Sequence, residues 1–166
     1  MLLSRIATAL VLAPLFIFGL FGLPPAGFAL FIGVFLLLSS WEWGGLCGFD
    51  LRGKVLWTLV LALLAGGLWF GEALWPDARL AAAALGGLFW FGATLAVVAY
   101  PRGGTLWAFA SVRAVAGVLM MIPAWAGLTL LQARSGGAWL VLWTVVLVWA
   151  ADIGAYFAGH AFGRHK

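Results

Sequence analysis

Six long apolar runs confine this chain to a lipid bilayer. They cover about residues 6–22, 26–43, 55–75, 80–99, 112–131 and 138–158, and about 20 apolar residues, with about 17 to 25 tolerated, are what a helix needs to cross hydrocarbon. Inside a bilayer the backbone must satisfy its own hydrogen bonds, so each run is predicted to be a helix. The separators agree. Leu23-Pro24-Pro25 denies a helix its next donors, Asp50-Leu51-Arg52-Gly53-Lys54 is polar, and Tyr100-Pro101-Arg102-Gly103-Gly104 is a strong turn signal. Arg134-Ser135-Gly136-Gly137 precedes the last run, Trp41 and Trp43 suit an interfacial belt, and Pro123 predicts a kink inside the fifth run. The expected fold is all-α: a polytopic membrane helix bundle of about six transmembrane helices forming one transmembrane domain over residues 1–166. The first run resembles a signal peptide in composition, but further spans follow at once, so it is read as retained.

Composition excludes the soluble classes. Hydrophobic residues make up 66 % of the 166, charged residues 8 %, and mean hydropathy is +1.14, whereas soluble domains carry about a quarter charged residues. The net charge of +4 comes from cations scattered singly, which argues against nucleic acid and for topology. Arg5, Arg52, Lys54, Arg102, Arg113, Arg164 and Lys166 fall on the side holding both termini; Arg79 and Arg134 fall on the other. The positive-inside bias therefore predicts cytoplasmic termini. Cys47 is the lone cysteine and there is no Asn, so neither an internal disulfide nor an N-glycosylation acceptor exists. No internal repeat points to an inverted-repeat transporter. Gly67 to Gly71 and Gly159 to Gly163 match G-x-x-x-G, which suits close packing within the chain or a homodimer face.

Chemistry concentrates in the ending W-A-A-D-I-G-A-Y-F-A-G-H-A-F-G-R-H-K, residues 149–166. Asp152 is the one acid inside a predicted span rather than near an end. On a helix Asp152, Tyr156 and His160 share a face, and Ala151, Ala155, Gly159 and Gly163 form a smooth neighbouring stripe. An ionisable residue in hydrocarbon is costly and is by default a functional-site hypothesis; the competing reading is an Asp that only bonds a neighbouring helix. Glu42, Asp152, Arg52, Lys54, Arg164, Lys166, His160 and Tyr156 would gather at the cytoplasmic mouth. Basic groups there attract phosphate, and a carboxylate among them can hold Mg²⁺; equally, such cations simply snorkel to the interface. His160 and His165 lack a third ligand, so zinc is not expected. No P-loop, G-x-G-x-x-G, H-E-x-x-H or nucleophile elbow occurs.

The ending resembles the W-x-x-D-[ST]-x-A-Y-x-x-G-x-x-F-G-K-x-K stretch of bacterial phosphatidate cytidylyltransferases. Further landmarks resemble that family in the same order: Arg5 with Thr8-Ala9 and Pro14, Leu23-Pro24-Pro25, Trp41-Glu42-Trp43-Gly44 with Leu46 and Gly48-Phe49, Tyr100-Pro101, and Gly117-Val118-Leu119 with Pro123. The resemblance implies CTP and phosphatidate as substrates, CDP-diacylglycerol and pyrophosphate as products, and Mg²⁺ as cofactor. The reaction would run at the cytoplasmic face of the inner membrane. Motif positions carry over to Asp152 as a catalytic, metal-facing carboxylate and to Lys166 as a catalytic cation near substrate phosphates. Tyr156, His160 and Arg164 become substrate-binding candidates.

Two positions depart from the pattern. Ile153 stands where the family has Ser or Thr, and His160 where it often has Lys, which removes a hydroxyl and weakens a positive charge at neutral pH. Family members also continue past the position of Lys166 into stretches that carry most of their metal and nucleotide ligands. The expectation is thus an N-terminal fragment, lacking the C-terminal catalytic part and inactive alone. The competing classes are a non-catalytic scaffold or small transporter using Asp152 as an ion or proton site, and a different CTP-using lipid kinase or transferase.

Overall fold

A computed structural model describes residues 2–99 and 108–163, with side-chain surroundings from Leu10 onward. It is all-helical, with no strand among the described residues. The order is α1 (Leu2–Gly22), α2 (Pro25–Leu46), α3 (Leu51–Phe70) with a 3-10 turn (Gly71–Ala73), α4 (Ala78–Val98), α5 (Ala110–Gln132) and α6 (Gly137–Phe162). Five helical stretches, Pro25–Leu46, Leu51–Ala73, Ala78–Val98, Ala110–Gln132 and Gly137–Phe162, are long and apolar enough to cross a membrane; the apolar part of α1, Leu10–Gly22, is shorter. Three helices outrun their apolar cores. α2 continues past Trp43 to Leu46, α3 begins at Leu51 through Arg52 and Lys54, and α6 carries on to Phe162. Polar residues at a span's end can stay helical because their side chains reach the interface.

The boundaries follow local chemistry. Pro25 opens α2 at a position whose N–H has no helical partner, and Pro24 before it is extended. Gly48, at φ +82°, lets the chain reverse after α2. The Asp50 carboxylate then accepts from the Gly53 N–H at 2.8 Å and caps α3. Gly136, at φ +69°, starts α6, and a Cβ on Gly137 would meet the Leu131 and Gln132 carbonyls. Turn chemistry thus spaces the helices.

Two compact units result, Pro24–Leu130 and the pair of segments Met1–Leu23 and Leu131–Lys166. In the first, the α2–α3 hairpin closes tightly because Gly44 leaves room for Lys54 and Trp57, whose nearest carbons would lie 3.2 and 3.3 Å from an added Cβ. Buried Ser40 donates to the Leu37 carbonyl at 2.7 Å and lies 3.2 Å from the Thr58 hydroxyl. Phe28, Leu61, Trp125 and Ala126 fill the interior. The Trp125 indole donates to the Ala29 carbonyl at 3.1 Å, joining α5 to α2. Pro123 stays helical within α5 and packs on Gly86 of α4, where any larger residue would collide with it. In the second unit Phe21 meets Trp139 edge-to-face at 5.1 Å, and Gln132 donates to the Leu23 carbonyl at 3.4 Å.

Candidate functional site

The helix bearing the motif is built as its spacing predicts. Asp152, Tyr156 and His160 lie within α6, one above another on one face. The Tyr156 and His160 rings are parallel within 7°, their centroids 6.3 Å apart, and Phe157 meets Tyr156 edge-on at 5.5 Å. Every residue from 147 to 163 is exposed. Among the described residues Asp152 has no hydrogen bond and no ion pair. A Cβ added to Gly159 would likewise meet nothing within 4 Å, and the same holds for Gly67 and Gly71. Neither G-x-x-x-G stretch packs a helix within the described chain. Arg164, His165 and Lys166 lie outside the described residues, as do Tyr100 to Arg102, and the side chains of Arg5, Thr8 and Ala9.

The remaining polar candidates have local occupations in the Pro24–Leu130 unit. Asp50 caps α3, and Lys54 sits 5.5 Å from the Trp41 ring centroid while packing on Gly44 and Gly45. Glu42 and Arg52 are exposed. A second cluster at the same end of the unit is one that sequence reasoning missed. Arg113, in the first turn of α5, donates from Nη2 to the Cys47 carbonyl at 3.2 Å, and its own carbonyl accepts from the Trp43 indole at 2.8 Å. Trp43 also lies against Gly117, where a side chain would collide with it, and Trp57 closes the other side. Buried Trp57 Nε1 finds no acceptor among the described residues. The Cys47 thiol is 1 % exposed. Burial pushes its pKa up, and the Arg113 charge and hydrogen bond pull it back by less.

At the unit's other end Arg79 proves to be more than a flanking charge. It is buried, donates from Nε to Glu72 at 2.6 Å and from Nη1 to Thr129 at 3.3 Å, and stacks 4.8 Å above Trp69. Thr129 in turn donates its hydroxyl proton to the Ala126 carbonyl at 2.9 Å. A charge inside a membrane protein needs such a partner set. The pair Glu72 and Arg79 sits seven apart, but no continuous helix joins them, so helical periodicity does not flag it.

Comparison with known proteins then decides the family. Residues 3–166 match the cytidylyltransferase family. The chain belongs to that family. A phosphatidate cytidylyltransferase of Pseudomonas aeruginosa is 41 % identical over the whole chain, which spans 60 % of that protein. One of Haemophilus influenzae is 31 % identical, again over the whole chain and 63 % of its own length. No solved structure matches. Together with its apolar helices, membership makes this chain a multi-pass membrane protein of a nucleotide-using transferase family. The family landmarks now sort by role. Trp43, Gly44, Gly117 and Pro123 are packing positions of one unit, whereas Asp152, Tyr156 and Gly159 are exposed on α6.

A metal requirement can be tested against the donors present. No group of three or more His, Cys, Asp or Glu comes together among the described residues. Asp152 offers one carboxylate, which fits a Mg²⁺ ion that takes one or two carboxylates plus substrate phosphates. It does not fit a closed protein cage.

Proposed function

We propose that this chain serves cytidylyl transfer from CTP to phosphatidate, giving CDP-diacylglycerol and pyrophosphate, at the cytoplasmic face of an inner membrane. The observation that carries the reading is 41 % identity to a phosphatidate cytidylyltransferase along the entire chain. The polar face of α6 supports it, since an intramembrane carboxylate with no hydrogen bond or ion pair among the described residues suits a substrate or metal site. The chain spans about three fifths of the relatives it matches. The activity of the whole protein is therefore part of the proposal.

In the proposed reaction an oxygen of the lipid phosphate attacks the α-phosphorus of CTP and pyrophosphate leaves. Both reactants are anions, so positioning and charge neutralisation dominate the barrier. Lys166 and Arg164 are proposed to neutralise phosphate oxygens, and His160 to donate a hydrogen bond to one of them. Tyr156 would line the pocket, its ring braced by the parallel His160 imidazole. Asp152 is the proposed metal-facing carboxylate; bound Mg²⁺ would supply further neutralisation of substrate phosphates. Cytoplasmic termini belong to the same proposal and rest on the distribution of Lys and Arg. A homodimer would use the open Gly67 and Gly71 face of the third span.

The test is incorporation of radiolabelled CTP into lipid by membranes holding the 166-residue chain or a version extended to the relatives' full length. Activity in the extended form, lost on Asp152→Asn, is the expected result. Silence in both would overturn the reading.

A further inference from the structure

Between about pH 5 and 8, histidine is the side chain that ordinarily gains or loses a charge. The chain has two, His160 and His165. Of these only His160 lies among the described residues, and the buried Cys47 thiol has its pKa raised further from neutrality. We propose that His160 makes substrate capture proton-gated: as an imidazolium it holds a substrate phosphate, and it gives up most of that grip when it loses its proton. The inference rests on the reading of α6 as the phosphate-handling face of a cytidylyl transferase. It adds regulation of that site by pH.

Depth, orientation and freedom each favour this role. α6 has 26 residues and is about 39 Å long, which exceeds the roughly 30 Å of bilayer hydrocarbon. With Gly137 at one boundary, the helix leaves the hydrocarbon near Phe157. His160, in the last turn, then stands among headgroups, and Asp152 lies roughly 7 Å inside. Protons and phosphates both reach His160 from water. Its ring is parallel within 7° to that of Tyr156, so its nitrogen edges project sideways rather than into the Tyr156 face. It is exposed and makes no hydrogen bond or ion pair among the described residues. An imidazolium offers two N–H donors and a charge where the neutral ring offers one donor and none, and charge-assisted bonds to phosphate are the stronger ones.

Few charges bear on His160. Residues 147–163 are exposed throughout, so no other described element packs against it. On its own helix Tyr156 lies four residues back and Asp152 eight, about 12 Å away along the axis. Arg164, His165 and Lys166 follow in the sequence, outside the described residues. Arginine and lysine keep their charge through neutral pH, so the attraction that Arg164 and Lys166 bring is constant and the part due to His160 varies. The substrates titrate too. A phosphate ester gains negative charge as pH rises through about 6, which by itself tightens binding, whereas loss of the His160 charge loosens it. The two effects have opposite signs, and the direction of the pH dependence separates them.

The test measures binding without turnover, on the protein extended to its relatives' full length in phosphatidylcholine nanodiscs. One arm uses radiolabelled CTP with Mg²⁺ and no phosphatidate, the other radiolabelled phosphatidate and no CTP. Affinity for CTP is expected to fall about fivefold from pH 6 to pH 8, the scale of exchanging a charge-assisted hydrogen bond for a neutral one. His160→Gln should remove the fall, His160→Lys should bind tightly at both pH values, and His165→Gln should keep the fall. Because His160 is exposed, its variants should unfold at the same temperature as the parent. A fall confined to the phosphatidate arm also supports the gate and places the lipid phosphate, rather than the nucleotide, on His160. Affinity that is flat or rises with pH in both arms overturns the proposal and leaves the activity standing, as does an undiminished fall in His160→Gln. Failure of both substrates to bind at any pH overturns the reading of the activity and the gate together.

Discussion

The Pro24–Leu130 unit and the second half of α6 share an apolar composition and differ in what their polar groups do. In the unit Arg79 is bound to Glu72 and Thr129, Asp50 caps a helix and Arg113 holds the Cys47 carbonyl. On α6 Asp152 holds nothing among the described residues, and residues 147–163 are exposed throughout. A polar group within apolar helices persists either because the fold satisfies it or because function does. The unit illustrates the former, and for α6 we propose the latter.

Substituting one polar group in each region puts that contrast under the greatest load. Asp152→Asn in the extended protein should cut CTP incorporation by about a hundredfold or more, the scale of losing a key electrostatic group, while shifting stability by no more than about 0.5 kcal/mol, as for an exposed unpaired site. A large loss of stability would erase the distinction. Arg79→Met should behave in the opposite way, destabilising by about 1 to 3 kcal/mol because it leaves the half-buried Glu72 carboxylate and the Thr129 hydroxyl without their partner. Adding Glu72→Gln should recover much of that loss in detergent-solubilised unfolding measurements.

Glycines carry the same contrast at a smaller scale. Gly117→Ala would drive a methyl into Trp43, and Gly86→Ala would drive one into Pro123; each should cost about 1 to 3 kcal/mol from overpacking. Gly159→Ala, with open space around it, should leave thermal stability unchanged or slightly raised, since alanine favours helix. Trp43→Phe removes the hydrogen bond to the Arg113 carbonyl and should cost about 1 kcal/mol.

The smallest effect concerns Cys47. Its pKa is raised from 9.0 in the folded chain, so the unfolded thiol loses its proton first as pH rises. Folded stability is then unaffected at neutral pH and declines as pH climbs through the unfolded value. Iodoacetamide should alkylate Cys47 slowly at pH 8 in nanodiscs and quickly after denaturation in SDS. Equal rates would show that the burial at the α2 C-terminus is not maintained.

Much of this architecture is legible in the residues. Long apolar runs with Pro, Gly and charged punctuation predict helices because hydrocarbon leaves the backbone no other partner, and helical spacing alone puts Asp152, Tyr156 and His160 on one face. The family motif adds their proposed chemistry. Less legible are the pairings that join distant positions. Arg79 reads as one of two cations flanking the spans, and nothing in its neighbourhood announces Thr129, fifty residues away. Gly67 and Gly159 have the spacing of packing positions within the chain, yet the space beside both is open.

Hydropathy and periodicity along single segments were enough to establish the membrane class, the number and order of the helices and the polar face of α6. Packing between segments had to be seen to learn that Trp43 fits against Gly117, that Pro123 fits against Gly86, and that Arg79 is neutralised. Those facts depend on which side chains meet across helices, and shape complementarity between surfaces is not encoded in the period of either one.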